Sequence, residues 1–245
     1  MAEVKAPNVL ERPGDYTLKE IVLVNSIGEK FDIKPFVLEL NIYENIYQHT
    51  MIGNLVMTDI GNLVNLVPLQ GNERLYFKVQ TPGATGQSEM IDMSDESGHA
   101  FIVTRLSDRK EISDRAHSYI LHFGTREHIR NLRTRVSQAY DGPLEHGVLS
   151  MIHDEAYLNS QKQVFFEPTR NQDKIVIGNK RPFAAIDMIC SKALSQNGKG
   201  AGYFFYETTK GFHFRSWESM VAYQANVDPK DQNAELLELT TKTQL

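Results

Sequence analysis

A single cysteine, Cys190, in 245 residues excludes an intramolecular disulfide and any multi-cysteine metal site, and points to synthesis inside the cell. Long apolar runs are missing too. No stretch is apolar enough for long enough to cross a bilayer, and the N-terminal MAEVKAPNVLERPGDY has neither an apolar core nor a small-residue cleavage site. The expectation is a protein without membrane insertion and not exported by that route. Nor is there a basic excess: 26 basic against 31 acidic residues leave a net charge of −5, unsuited to gripping nucleic acid through its phosphates. No internal repeat and no low-complexity tract is present. What remains is 41% hydrophobic and 23% charged residues, ordinary for a globular chain that can bury a core in one large or two small domains.

The densest pattern lies between Phe31 and Glu73. Phe36, Leu38, Leu40 and Ile42 alternate with Val37, Glu39, Asn41 and Tyr43, the period of a strand with one buried face. Leu55 and Met57 then alternate with Asn54, Val56 and Thr58. The connection between the two runs carries no helix-length apolar period, so they read as an antiparallel pair. That connection is too long for a tight turn and is unusually apolar, with Ile42, Tyr43, Ile46, Tyr47, Met51 and Ile52 in or beside it. Apolar side chains at a loop imply cover, from the chain's own fold or from a partner. These six are the candidate oligomer-interface residues.

Residues 1–17, with two prolines and scattered charge, read as an extended arm. Leu18 to Val24, the turn Asn25-Ser26-Ile27-Gly28, the alternating Leu75, Phe77 and Val79, and the runs Phe101 to Leu106 and His117 to Phe123 add strands, with 86–99 as a polar surface loop. Six or seven strands in about a hundred residues are the signature of an antiparallel β-barrel or sandwich over 18–124. At Gly124 the period changes. Thr125 to Tyr140 is rich in helix formers; a second helix starts near Pro143 and carries Leu144, Val148, Leu149, Ile152 and Ala156. Lys174 to Ile177 is a short strand. A third helix opens at Pro182, with Phe183, Ile186, Ile189, Cys190, Ala193 and Leu194 in one stripe, and closes at Asn197-Gly198. Tyr203 to Glu207 and Phe212 to Trp217 make an aromatic hairpin around Thr208 to Gly211. Residues 125–225 therefore read as a smaller mixed α/β domain and 226–245 as a polar, acidic tail, which makes the fold class α+β.

Chemistry is sparse. His146 and His153 lie seven apart on one helix, without the four-residue spacing and adjacent glutamate of a zinc protease, so they read as a solvated face. The glycine-rich Ser195 to Gly202 ends a helix and enters a strand, the reverse of a phosphate loop. Cys190 sits on an apolar stripe, as a packing residue does. Asp95 and Glu96 fall in a weakly patterned loop that would not hold them in catalytic geometry. Arg126, Arg130 and Arg133 form a basic helix face with His128 and Arg135 nearby, either solvated or docking an acidic partner. No catalytic constellation emerges, and the expectation is a non-enzyme without metal or other cofactor. The alternative outside assemblies is a small metal-dependent hydrolase using His146, His153 and nearby acids.

The run ELNIYENIYQHTMIGNLVMTDIGNLVNLVPLQGNERLYFKVQTP resembles the first domain of baseplate hub proteins of contractile-tailed, T-even-like bacteriophages. The match runs through Glu39 to Tyr47, Gly53, Asp59, Asn62-Leu63, Pro68 and Gly71-Asn72-Glu73. RPFAAIDMICSKAL and GYFFYETTKGFHFRSWESM are similar to that family's second domain, through Phe183, Ala193, Tyr203 to Glu207 and Gly211 to Ser216. The resemblance covers about residues 18 to 220. It implies a structural protein of the virion tail baseplate, assembled in the host cytoplasm. Such a hub is a homotrimer whose tail-tube-like domains ring the channel, with the tail tube protein above, the central spike protein below and baseplate wedge proteins around it; DNA passes through without tight binding. The family's trimers use two tube domains per chain, and one is recognisable here, in 18–124. A shortened hub, a second domain supplied by another chain, another tube-fold tail adaptor and a secretion-system spike hub are the readings this leaves.

Overall fold

The computed structural model describes residues 16–60, 70–82, 88–94, 99–113, 116–196 and 202–225. Nearly all of the arm, the tail 226–245, Asn62, Leu63, Pro68, Asp95, Glu96 and the Asn197-Gly198 helix stop lie outside the described residues.

Eight antiparallel strands make the first region: β1 (Thr17–Val24), β2 (Lys30–Asp32), β3 (Val37–Tyr43), β4 (Ile52–Asp59), β5 (Arg74–Pro82), β6 (Ser88–Met93), β7 (Phe101–Ser113) and β8 (Ala116–Thr125). Their order is β2-β1-β5-β7-β8-β4-β3, with β6 beside β5. The turn before β2 is built as its residues require. Asn25 Oδ1 accepts the N–H groups of Ile27 and Glu29 at 3.1 and 2.9 Å, and Gly28 takes φ +92°, which a side chain would resist. The expected β3–β4 pair is present, with Leu40 opposite Leu55 and Ile42 opposite Gly53. An irregularity between Val37 and Glu39 shifts the parity of β3. Leu38, read from the alternation as a partner of Leu40, is therefore turned outward and is 64% exposed.

Gly53 is where the pair packs most tightly. A Cβ at this position would collide with the Asn41 carbonyl oxygen and the Phe123 ring.

Among the described residues the expected barrel or sandwich is an open sheet. β2 and β3 end the strand path, and β5 meets β7 over a short seam, with Arg74 opposite Ile102, Leu75 opposite Phe101 and the Val103 N–H donating to the Glu73 carbonyl at 2.8 Å. Beyond that seam β5 continues with β6 while β7 continues with β8, so the sheet splays where a barrel would have to keep its ladder. It is nonetheless curled, because Ile21 and Leu23 of β1 share one core with Leu55 and Met57 of β4, several strands away. The Phe77, Phe101 and Phe123 rings meet in that core at centroid distances of 5.0–6.2 Å. Two polar stretches outside the expected strands are strand: β6 lies within the expected surface loop, and the charged segment from Ser107 to Glu111, between two of the expected runs, is part of β7.

The second region follows β8 without a linker: α1 (Arg126–Arg133), β9 (Val136–Pro143), α2 (Leu144–His153), β10 (Val164–Phe166), β11 (Gln172–Lys180), α3 (Pro182–Cys190), β12 (Tyr203–Thr208), β13 (Gly211–Ser216) and α4 (Trp217–Ala225). The first helix stops at Arg133 instead of running to Tyr140, because Val136 to Pro143 pairs with β11 and that ladder outweighs helix propensity. α3 ends at Cys190, short of the expected stop, and Trp217 opens a helix instead of closing a strand. The aromatic hairpin forms as read, and β10 joins it in parallel to β13. Its inward Tyr203, Phe205, Phe212 and Phe214 pack with the apolar faces of α2 and α3.

Candidate functional site

The apolar connection between β3 and β4 is covered in part by the chain's own second region. Asn45 starts it with a side-chain turn, its Oδ1 accepting the Tyr47 N–H at 2.9 Å and its carbonyl the Gln48 N–H at 3.0 Å. Glu44 Oε1 accepts the Thr209 N–H at 2.7 Å, from the β12–β13 turn. The Tyr47 ring meets Phe204 edge-on at 5.9 Å. His49 stacks on Phe183 at 5.1 Å and its Nε2 lies 2.7 Å from Asp187 Oδ1, so α3 is gripped by both a ring stack and a hydrogen bond. Thr50 Oγ1 meets His128 Nδ1 of α1 at 3.3 Å.

Below this clasp lies a buried ionic cluster. Glu207, the last inward residue of β12, accepts the Met51 N–H and the Thr125 hydroxyl through Oε2, each at 3.0 Å. Its Oε1 receives Lys162 Nζ at 2.5 Å. The same ammonium reaches Glu127 Oε2 at 2.9 Å, and Glu127 Oε1 accepts the Ser160 hydroxyl at 2.5 Å. All three charged side chains are at most 3% exposed. Burial pushes the Glu127 carboxyl up, but Lys162 and the Ser160 hydroxyl outweigh it and leave the group below its ordinary value. At Glu207 burial prevails over Lys162 and raises the carboxyl to about 7. Burial pulls the Lys162 ammonium down, and the two carboxylates more than restore it. One cation between two anions thus ties α1, β12 and the adjoining ends of β4 and β8 together.

Of the six candidate interface residues, Met51 is fully buried inside its own chain, and its side chain has no face left for a neighbour. Ile42 packs on the sheet core, and Ile46 is half-buried. Tyr43, Tyr47 and Ile52 remain exposed, at 46%, 74% and 36%. Two of the three arginines are engaged within the chain. Arg130 donates to the carbonyls of Tyr157 and Glu155 at 2.9 and 2.7 Å, and Arg126 to that of Asn159 at 3.1 Å, steadying the turn after α2. Arg133 stays exposed.

His146 and His153 are exposed, His153 Nδ1 lies 2.9 Å from the Ser160 carbonyl, and no three His, Cys, Asp or Glu side chains converge among the described residues. Burial pushes the Cys190 thiol up to about 12, far from a nucleophile's range.

Sequence reading missed Glu127, Lys162 and Glu207. A signal existed for two of them. Glu207 has the parity of the inward Tyr203 and Phe205, and Glu127 shares the buried face of α1 with Asn131.

No protein-family model matches the chain, and no curated protein matches its sequence. A solved structure does share its fold, and others are similar to it. A 43 kDa tail protein of prophage MuSo2 from Shewanella oneidensis superposes with a TM-score of 0.51 at 10% identity, covering 82% of this chain and 53% of that one. A tail protein from Neisseria meningitidis MC58 gives 0.47 at 11% identity, over 81% of this chain and 50% of that one. The E. coli c3393 protein, a type VI secretion component described as similar to T4 phage tail proteins, gives 0.42 at 9%, over 82% and 48%. The chain therefore spans about half the length of these neighbours, and it shares the fold of the MuSo2 tail protein.

Proposed function

We propose that this chain is a structural subunit of a phage tail baseplate, a hub component that joins copies of itself into a ring between the tail tube protein and the central spike protein. The reading is supported by the tail-protein fold and by the baseplate-hub resemblance of Glu39 to Glu73. The observation that carries it is the open sheet: β3 and the outer stretch of β7 beyond Val103 each have one edge that pairs with no other described strand. Edges of that length are templates for another strand unless something covers them. Two different edges on one chain suit a head-to-tail contact that closes into a ring. Tyr43, Tyr47 and Ile52 lie exposed at the end of β3, where the next subunit would sit. The ring is a homotrimer in this reading, with baseplate wedge proteins around it, in the tail of a virion assembled in the host cytoplasm. DNA passes through the channel without being gripped, in keeping with the acidic balance of the chain.

Light scattering tests the contact. The double substitution Tyr43→Glu and Tyr47→Glu is expected to reduce the assembled mass to that of a monomer with the fold intact by circular dichroism. An unchanged assembled mass would remove these residues from the interface.

A further inference from the structure

We propose that Glu127, Lys162 and Glu207 form a proton-operated latch at the junction of the two regions, closed when the cluster holds one extra proton and loosened when that proton leaves. The argument starts from charge. One ammonium faces two carboxylates in a site without solvent, so the fully ionised cluster carries a net charge of −1 that burial makes costly. One proton on a carboxylate brings the cluster to neutrality.

Geometry says which carboxylate holds it. Glu127 is held as an acceptor, with Lys162 on one oxygen and on the other the Ser160 hydroxyl, whose own oxygen already accepts the Lys162 backbone N–H at 3.3 Å. Glu207 Oε1 faces only Lys162, which can donate but not accept. Glu207 Oε2 faces the Met51 N–H and the Thr125 hydroxyl, and a hydroxyl can reverse its role and accept. A proton on Oε2 therefore costs no hydrogen bond, and the Met51 N–H still finds a lone pair.

The surroundings offer little to balance the charge otherwise. From β13 the Phe212 ring faces Lys162 Nζ at 5.7 Å. From β4 and β8 come only the amide and the hydroxyl already named. His128 of α1 is turned to Thr50. His99, ahead of β7, feels both Lys162 and Glu127 and, more remotely, Asp92 of β6; its half-buried ring is held below its ordinary value, first by burial and then by Lys162, so it too is neutral at pH 7. Loss of the Glu207 proton thus leaves an unbalanced anion at the point where the second region holds the ends of β4 and β8.

Amide hydrogen exchange at Met51 reads the latch directly. In the full chain, after correction for the intrinsic pH dependence of exchange, opening at Met51 should increase from the ordinary glutamate range up to about pH 7, by up to about tenfold per pH unit, the limit for release of one proton, and level off above it. In Glu207→Gln, which keeps a neutral donor and acceptor, the slope should vanish. In Glu127→Gln, where Lys162 balances Glu207 alone, it should move to lower pH. Protection at Met51 that is flat in the wild type, or a slope that survives in Glu207→Gln, would overturn the proposal. Should the variants not fold, carboxyl carbon NMR of the 13C-glutamate-labelled wild type decides. A glutamate titrating near neutrality supports the latch, and complete ionisation of every glutamate by pH 5 refutes it.

Discussion

Removing the cation from the cluster should be the most damaging single change in the second region. Lys162→Met keeps most of the stem and deletes the ammonium, leaving Glu127 with Ser160 alone and Glu207 with the Met51 amide and the Thr125 hydroxyl. Breaking a buried ion pair from one side typically costs about 3–5 kcal/mol, because the remaining charge is stranded. Here two carboxylates are stranded, both nearly free of solvent contact, so the loss at pH 8 is expected near the top of that range. The deficit should shrink toward pH 5. Without Lys162 both carboxyls have raised folded-state values, and such groups stabilise the fold fully below their unfolded value and lose that contribution as pH rises through the folded one. Urea unfolding followed by fluorescence at pH 5 and pH 8 measures both effects. The triple variant Lys162→Met, Glu127→Gln, Glu207→Gln should recover most of the loss. A deficit under about 1 kcal/mol at pH 8, or one that grows toward acid, would refute the reasoning.

Gly53→Ala should destabilise by about 1–3 kcal/mol, since its new methyl meets a backbone oxygen and a core ring that cannot both yield; a melting temperature unchanged in calorimetry would show that the β3–β4 pair has slack. His49→Ala removes the Phe183 stack and the Asp187 bond and should cost about 1–2 kcal/mol. Its clearer sign is faster limited proteolysis between Glu44 and Met51, and cleavage at the wild-type rate would show that the clasp is held by other contacts.

Where one face of an element meets the core and the other does not, the elements could be read directly. β4 buries every second residue, and the hairpin of β12 and β13 announces itself by its aromatics. β9 could not be read that way, because its VSQAYDGP run buries no alternating face and becomes a strand only through β11, some thirty residues on. The open sheet was likewise illegible: strand count is local, whereas closure depends on whether β5 and β7 keep pairing past Leu75 and Phe101. The apolar connection was visible as a surface needing cover, but not what covers it, since Phe183, Asp187 and Phe204 lie far along the chain. The ionic cluster was hidden most deeply. Lys162 sits in QKQVFF, where nothing distinguishes a buried lysine from a solvated one.

The hydrogen bond from the Met51 amide to Glu207 spans 156 residues. A ribosome adding roughly 5–20 residues per second needs on the order of ten seconds to cover that distance. During that interval the strands of the first region can emerge and pair, but the amide at the start of β4 has no acceptor, and neither His49 nor Tyr47 has its ring to rest on. The sheet is therefore not finished when its last strand is made; it is finished by the hairpin made near the end. A nascent chain arrested before that hairpin lacks the support that holds the β3–β4 connection in place. The fold thus contains its own check on synthesis, in which the β3–β4 connection is held in place only in chains that have been translated past Glu207.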